Sequence, residues 1–275
     1  IFSGIINPAF LVLTVYLLIF IRQYLWFTNA FFFAWVIPTF ISLSLTFFII
    51  KKLDYSKINI EFFLIVCLPL FLFYILRFAF PDASWDIINY HYIVGERGLS
   101  GYPFISGDFF YLSYANPATD MVTAVFRKLF GHRVGTIINL LAIFWTAQVL
   151  EKILKVFINN KILKNLFVLL LILFEGITYQ ISNYWVDLLS VPILLELVYL
   201  LCFKAKKHLF DYIIISLFLG ILFSFKLTNI FAVFPLSILF FLQYLKDDKD
   251  IYYNKLFKIL FLFIIFLLPI FPYHS

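Results

Sequence analysis

The sequence predicts an all-α, polytopic membrane helical bundle: about nine transmembrane helices, with interfacial helices in the first large extracytoplasmic loop. Three observations predict it. Hydrophobic residues make up 64% of the 275 and charged residues 13%, which leaves far less polar surface than a soluble domain needs. The apolar residues fall in runs close to the roughly 20 residues that cross a hydrocarbon core. The lysines cluster between those runs, and every cluster falls on one face when nine runs are threaded in order.

The first two runs span 5–21 and 30–50, and Lys51, Lys52 and Lys57 follow the second. The third, 61–80, carries Arg77 near its end. The stretch 81–133 does not cross. The runs 134–154 and 164–181 come next, with Lys152, Lys155, Lys161 and Lys164 around their connection. Lys204, Lys206 and Lys207 follow 186–203. The runs 210–225 and 228–244 form a hairpin, Lys246, Lys249, Lys255 and Lys258 come after it, and 256–273 closes the chain. By the positive-inside rule the clusters are cytoplasmic, so 81–133 is outside. The same rule accounts for the net charge of +6, and no nucleic-acid partner is expected. Cys67 and Cys202 both lie in apolar runs and read as buried fillers. The expectation is one membrane domain over 1–275, a piece of a longer chain placed in the cell (inner) membrane.

Within 81–133, "NPATDMVTAVFRKLFGHR" offers Asn116 as N-cap and Pro117 at the first helical position. Met121, Val122, Val125, Phe126 and Leu129 recur at helical spacing, with Arg127 and Lys128 off that face. An amphipathic helix lying in the interface is predicted here, and a second over about Ser84 to Gly95.

The chemistry gathers where the third run ends, in "FPDASWDIINYHYIVGERG". Asp82 and Asp86 are one helical turn apart. A carboxylate at the outer end of a membrane helix, in a dry cleft, suits a general base. Asp86 sits between aromatic residues and is the candidate; Asp82 reads mainly as a cap. Arg77, Asp187 at the start of the sixth run and Lys226 in the seventh–eighth hairpin fall on the same outer side. Snorkelling, a helix-dipole contact and a lone loop lysine are their plain structural readings. Glu175 lies near the outer end of the fifth run, while Glu196 is mid-span and expected to be paired or protonated. No Walker A loop, GxGxxG, Cys–His cluster or serine elbow occurs.

These stretches resemble the GT-C superfamily of integral-membrane glycosyltransferases, which includes protein O-mannosyltransferases and aminoarabinose transferases. "SWDIINYHY" resembles the acidic motif of their first outer loop, and "NPATDMVTAVFRKLFGHRVGTIINLL" the second loop helix and the span after it. "TYQISNYWVDLLSVPILL" resembles their second acidic site, and "LGILFSFKLTNIFAVFPL" a lysine-bearing hairpin. The resemblance covers roughly residues 61–275. It implies a polyprenyl-phosphate-linked sugar as donor and a glycan, lipid or protein as acceptor. Asp86, Asp187 and Asp82 would be the catalytic carboxylates, and Tyr90, His91, Arg77, Lys226 and Arg97 would bind substrate. Ile87, not a second acid, follows Asp86, which leaves metal use open; a divalent cation, Mg²⁺ or Mn²⁺, would fall to Asp86 and Asp187. Two other functions use the same lipids. A flippase places its ionisable groups at mid-membrane in broken helices, and a polysaccharide polymerase or ligase relies on loop arginines, here Arg97, Arg127 and Arg133.

Overall fold

The computed structural model describes residues 7–25, 28, 30–53, 55, 59–79, 91–100, 118–204, 207–247 and 252–273. Among these the chain is all-helical, with no strand. Among the described residues, four helices are long and apolar enough to cross a membrane: Phe32–Lys52, Ile60–Phe78, Ile137–Leu154 and Leu227–Lys246. Pro8–Tyr24, Leu209–Phe225 and Leu256–Leu267 are shorter apolar helices. The perimeter is apolar, with Phe31, Phe40, Phe48, Phe231, Phe234 and Phe257 all exposed, as lipid-facing surface requires. The chain is thus a membrane protein.

Helix α1 (Pro8–Tyr24) opens on Asn7, whose side chain accepts from Ala9 N at 2.9 Å, with Pro8 where its missing N–H costs nothing. Helices α2 (Ile37–Lys52) and α3 (Leu68–Phe78, led in by Ile60–Phe62) share a device. Each is preceded by one π turn, Phe32–Val36 and Phe63–Cys67. In each, the residue just before a proline, Ile37 or Leu68, donates five residues back, to the carbonyl of Phe32 or Phe63. Pro38 and Pro69 cannot donate and crowd the preceding turn, and widening that turn by one residue relieves the clash.

Helices α4 (Tyr92–Leu99) and α5 (Ala118–Val134) follow; α5 kinks at Gly131, which has a φ of 79°. Helix α6 (Ile137–Leu154) is central. Helix α7 (Lys161–Ile172) is capped by Asn160 and stops within the predicted 164–181 run. A bend at Leu173–Phe174 leads into a single turn, Glu175–Thr178, so this run is a shorter helix than its apolar length suggested. Helix α8 (Asp187–Val198) continues through a π turn to Phe203. Helix α9 (Leu209–Phe225) starts with a capping box between His208 and Asp211, in which the His208 main-chain N–H donates to the Asp211 carboxylate at 2.9 Å. Helices α10 (Ile230–Asp247) and α11 (Tyr252–Leu267) complete the bundle.

One core joins α1, α5, α6, α8 and α9 around Tyr16, Met121, Trp145, Phe218 and Phe225; a second joins α3, α6 and α7 around Val66, Leu70, Ile143 and Val168. Between helices in lipid, close packing and internal hydrogen bonds supply the attraction, because hydrocarbon competes with dehydration. Tyr16 does both: its ring meets Phe225 edge-on at 4.6 Å and its hydroxyl donates to Leu189 O at 2.9 Å.

Two expectations change. Helix α5 is buried on every side from Ala118 to Phe126 and exposed from Lys128 onward, so its first half is packed within the bundle and lacks the free polar face that the amphipathic spacing suggested. The predicted cap at Asn116 and Pro117 lies outside the described residues. Cys67 is buried as expected, but Cys202 is exposed.

Candidate functional site

The site is built on the seam between α4 and α5. His91, Gly95 and Gly98 fall at i, i+4 and i+7 and share one face of α4. Asp120, Ala124 and Arg127 do the same on α5. A Cβ on Gly95 would lie 2.4 Å from the Asp120 carbonyl oxygen, and one on Gly98 would lie 2.7 Å from the Met121 side chain. Only glycine lets the helices approach this closely. The approach places His91 Nδ1 2.6 Å from Asp120 Oδ1, with the Asp120 side chain 2% exposed. Burial pushes the Asp120 carboxyl above its ordinary value, opposed by the His91 contact and by the Arg127 and Lys226 cations. The Trp185 ring stands 6.3 Å from the imidazole.

A second layer braces the seam. Arg127 donates to Glu96 at 2.9 and 3.2 Å, and Lys128 reaches the same carboxylate at 3.1 Å. Burial acts to raise Glu96, but the two cations hold its carboxyl below the usual range. The Arg127 guanidinium lies 4.2 Å from the Tyr92 ring and 5.3 Å from that of Tyr184. The Tyr184 hydroxyl donates to His132 O. Asn139 donates to the carbonyls of Gln180, Asn183 and Trp185, at 2.9, 2.7 and 3.2 Å, and so fixes the segment that carries Tyr184 and Trp185.

Asp187, at the start of α8, forms an ion pair with Lys226, the residue that ends α9. Asn229 anchors this corner by donating to Ser190 Oγ at 3.0 Å and Leu222 O at 2.8 Å. Thr119, next to Asp120, donates to Phe225 O at 3.2 Å, which ties the seam to the Lys226 corner.

Of the residues predicted from sequence, His91, Asp187 and Lys226 therefore meet at one end of the bundle. Lys226 is not a lone loop lysine: it is paired with Asp187. Among the described residues no group of three His, Cys, Asp or Glu is placed to hold a metal. Arg77 stacks 6.0 Å from the Tyr179 ring, and its Nε has no hydrogen-bond partner among the described residues. Arg97 is exposed on α4, away from the His91 face. Asp82, Asp86 and Tyr90 lie outside the described residues. Sequence reasoning missed Asp120, although the helical spacing His91–Gly95–Gly98 already marked a face prepared for a close partner.

The bundle holds a second charged centre. Glu196 is fully buried and accepts from Lys152 at 3.2 Å, Trp145 at 3.3 Å and the Tyr55 hydroxyl. Lys152 also donates to Leu53 O at 2.7 Å and lies 3.5 Å from the Tyr55 ring. The mid-span glutamate is thus paired, as expected.

No family model matches the chain, and no curated protein or solved structure matches it either.

Proposed function

We propose that the chain is an integral-membrane glycosyltransferase of the GT-C type. It transfers a sugar from a polyprenyl-phosphate donor to an acceptor on the extracytoplasmic side of the cell membrane, through a bundle of nine spans. The observation that carries the reading is the gathering of His91, Asp120, Asp187 and Lys226 at one end of the bundle; in the sequence His91 follows Asp86 by five residues. A lipid-linked donor presents its sugar at the membrane surface, so carboxylates and cations belong at a helix end and an apolar groove beside them. A mainly apolar cavity of about 250 Å³ lies farther along α9, α10 and α11, between Phe266, Leu219, Phe240 and Tyr244, and supplies apolar wall for isoprenoid units.

In this reaction Asp86 takes the proton of the acceptor hydroxyl or amine as its oxygen or nitrogen bonds to the anomeric carbon. The bond from that carbon to the phosphate oxygen breaks, the lipid phosphate leaves as an anion, and the anomeric configuration inverts. Asp120 fixes the His91 imidazole through Nδ1 and so orients it toward the sugar. Lys226 and Arg77 bind the donor phosphate, with Asp187 positioning Lys226 or the acceptor. Glu196, the acidic group on which a transport reading would rest, is closed by Lys152 and Tyr55, which favours the enzyme.

Membranes containing the full chain, given a polyprenyl-phosphate donor with radiolabelled sugar, are expected to transfer label to an endogenous acceptor. Asp86→Asn should lower transfer at least about 100-fold with expression unchanged. Undiminished transfer in Asp86→Asn and Asp120→Asn alike, or movement of donor across the membrane without transfer, overturns the proposal.

A further inference from the structure

Arg22 lies in the last turn of α1 and is 5% exposed. A snorkelling arginine would extend its head to the surface, but this one folds inward beneath Trp35, its Cζ 5.4 Å from the ring. Its Nε and Nη1 are buried and have no hydrogen-bond partner among the described residues. The ring supports the charge without accepting those in-plane N–H groups. A buried cation with unmet donors is costly and persists where something supplies the counter-charge. The neighbouring sequence does not: residues 1–53 contain no Asp or Glu.

The place of Arg22 narrows the class of ligand. Phe20, half a turn before it, stacks on Phe225 at 6.1 Å, and Phe225 precedes Lys226. The Tyr24 hydroxyl donates to Leu268 O at the same end. Arg22 is therefore at the end that carries Asp120 and Lys226, but Lys226 is already paired with Asp187, whereas no carboxylate among the described residues pairs with Arg22. Just beyond it Phe31, Phe32 and Phe33 are exposed, so the guanidinium lies beside an apolar, lipid-facing corner of the bundle. A phosphate oxygen matches the planar guanidinium fork.

We infer that Arg22, under Trp35, is a binding site for the phosphate of a membrane lipid, a monoester or diester anion approached sideways from the bilayer. The inference rests on the bundle and not on the transfer reaction, so a binding readout separates the two.

The full chain is purified in an uncharged, phosphate-free detergent, and its thermal unfolding is followed by tryptophan fluorescence while four probes are titrated: a polyprenyl monophosphate, phosphatidylglycerol, the uncharged polyprenol, and inorganic phosphate. Either phospholipid probe should raise the unfolding temperature at concentrations where polyprenol and inorganic phosphate do not. Preference for the polyprenyl monophosphate would identify a donor-type lipid, and equal response to phosphatidylglycerol a general lipid phosphate; both support the site. Arg22→Gln should weaken the response about tenfold or more, and Arg22→Lys should retain part of it. An equal response to polyprenol or to inorganic phosphate overturns the inference, as does an unchanged response in Arg22→Gln. Should Arg22→Gln not fold, the phosphate-against-polyprenol comparison on the native chain still decides.

Discussion

Gly95 faces the main-chain carbonyl of Asp120 so closely that a methyl group at its Cα would lie 2.4 Å from the oxygen. The blocking atoms are backbone, which cannot rotate aside, so any side chain must drive α4 away from α5. Gly95→Ala should cost about 1–3 kcal/mol, the range for overpacking a tight contact. It should also pull His91 off Asp120, one turn away. Thermal unfolding reads the first effect and sugar transfer the second; a variant as stable and active as the parent would show that the helices are not held at this spacing.

Asp120→Asn separates the carboxyl's effect on stability from its effect on activity. Burial raises the folded-state pKa above the ordinary 3.8, so between those values the native chain holds a proton that the unfolded chain has released. The stability due to this group is fully present below 3.8 and is lost as pH rises through the folded value. The asparagine variant escapes that loss and should unfold near neutral pH at or above the parent temperature. Transfer should nevertheless fall by roughly 10- to 100-fold because His91 loses its orienting partner. Unfolding curves from pH 3 to 8 test the sign, and a parent that gains stability across that range relative to Asp120→Asn contradicts it.

The pair Lys152–Glu196 predicts a non-additive result. Lys152→Met leaves a buried carboxylate without its cation and should cost about 3–5 kcal/mol. Adding Glu196→Gln should restore most of the loss, because an amide still accepts from Trp145 and Tyr55. A double-mutant cycle measures the coupling. Two independent, additive losses would mean that the contact does not hold the helices together.

Sidedness is tested with an impermeant maleimide on intact cells, in a Cys202→Ser background because Cys202 is exposed. A cysteine at Lys128, exposed on α5, should react from outside, and one at Lys155, exposed past the end of α6, only after the membrane is opened. The reverse pattern would move the Asp120 end to the cytoplasm.

The helical class, the apolar perimeter and the grouping of Asp187 with Lys226 at one end were legible because hydropathy and charge sidedness report directly on solvent. Asp120 was not. In the linear pattern it is an acidic residue in the first turn of an amphipathic helix, the ordinary place for a dipole partner. Its burial comes from α1, α4 and α9 closing around α5, and periodicity within one helix carries no information about a neighbour. The end of α7 was misplaced for a related reason: the apolar run continues past Ile172, and hydropathy does not register where backbone hydrogen bonding stops. The partner of Glu196 lies 44 residues away, and single-sequence spacing cannot name it.

The π turns before Pro38 and Pro69 make each proline and its surplus residue a matched pair under insertion and deletion. Replacing Pro38 with alanine restores a donor, and the ladder can then tighten to the ordinary repeat. The segment upstream would be left one residue out of phase, a rotation of about 100°. Removing one residue from Phe32–Val36 alone would force the proline ring back against the preceding turn. Either change by itself should be disruptive, and the two together should be tolerated, so the length of this corner and the presence of its proline can drift only in step.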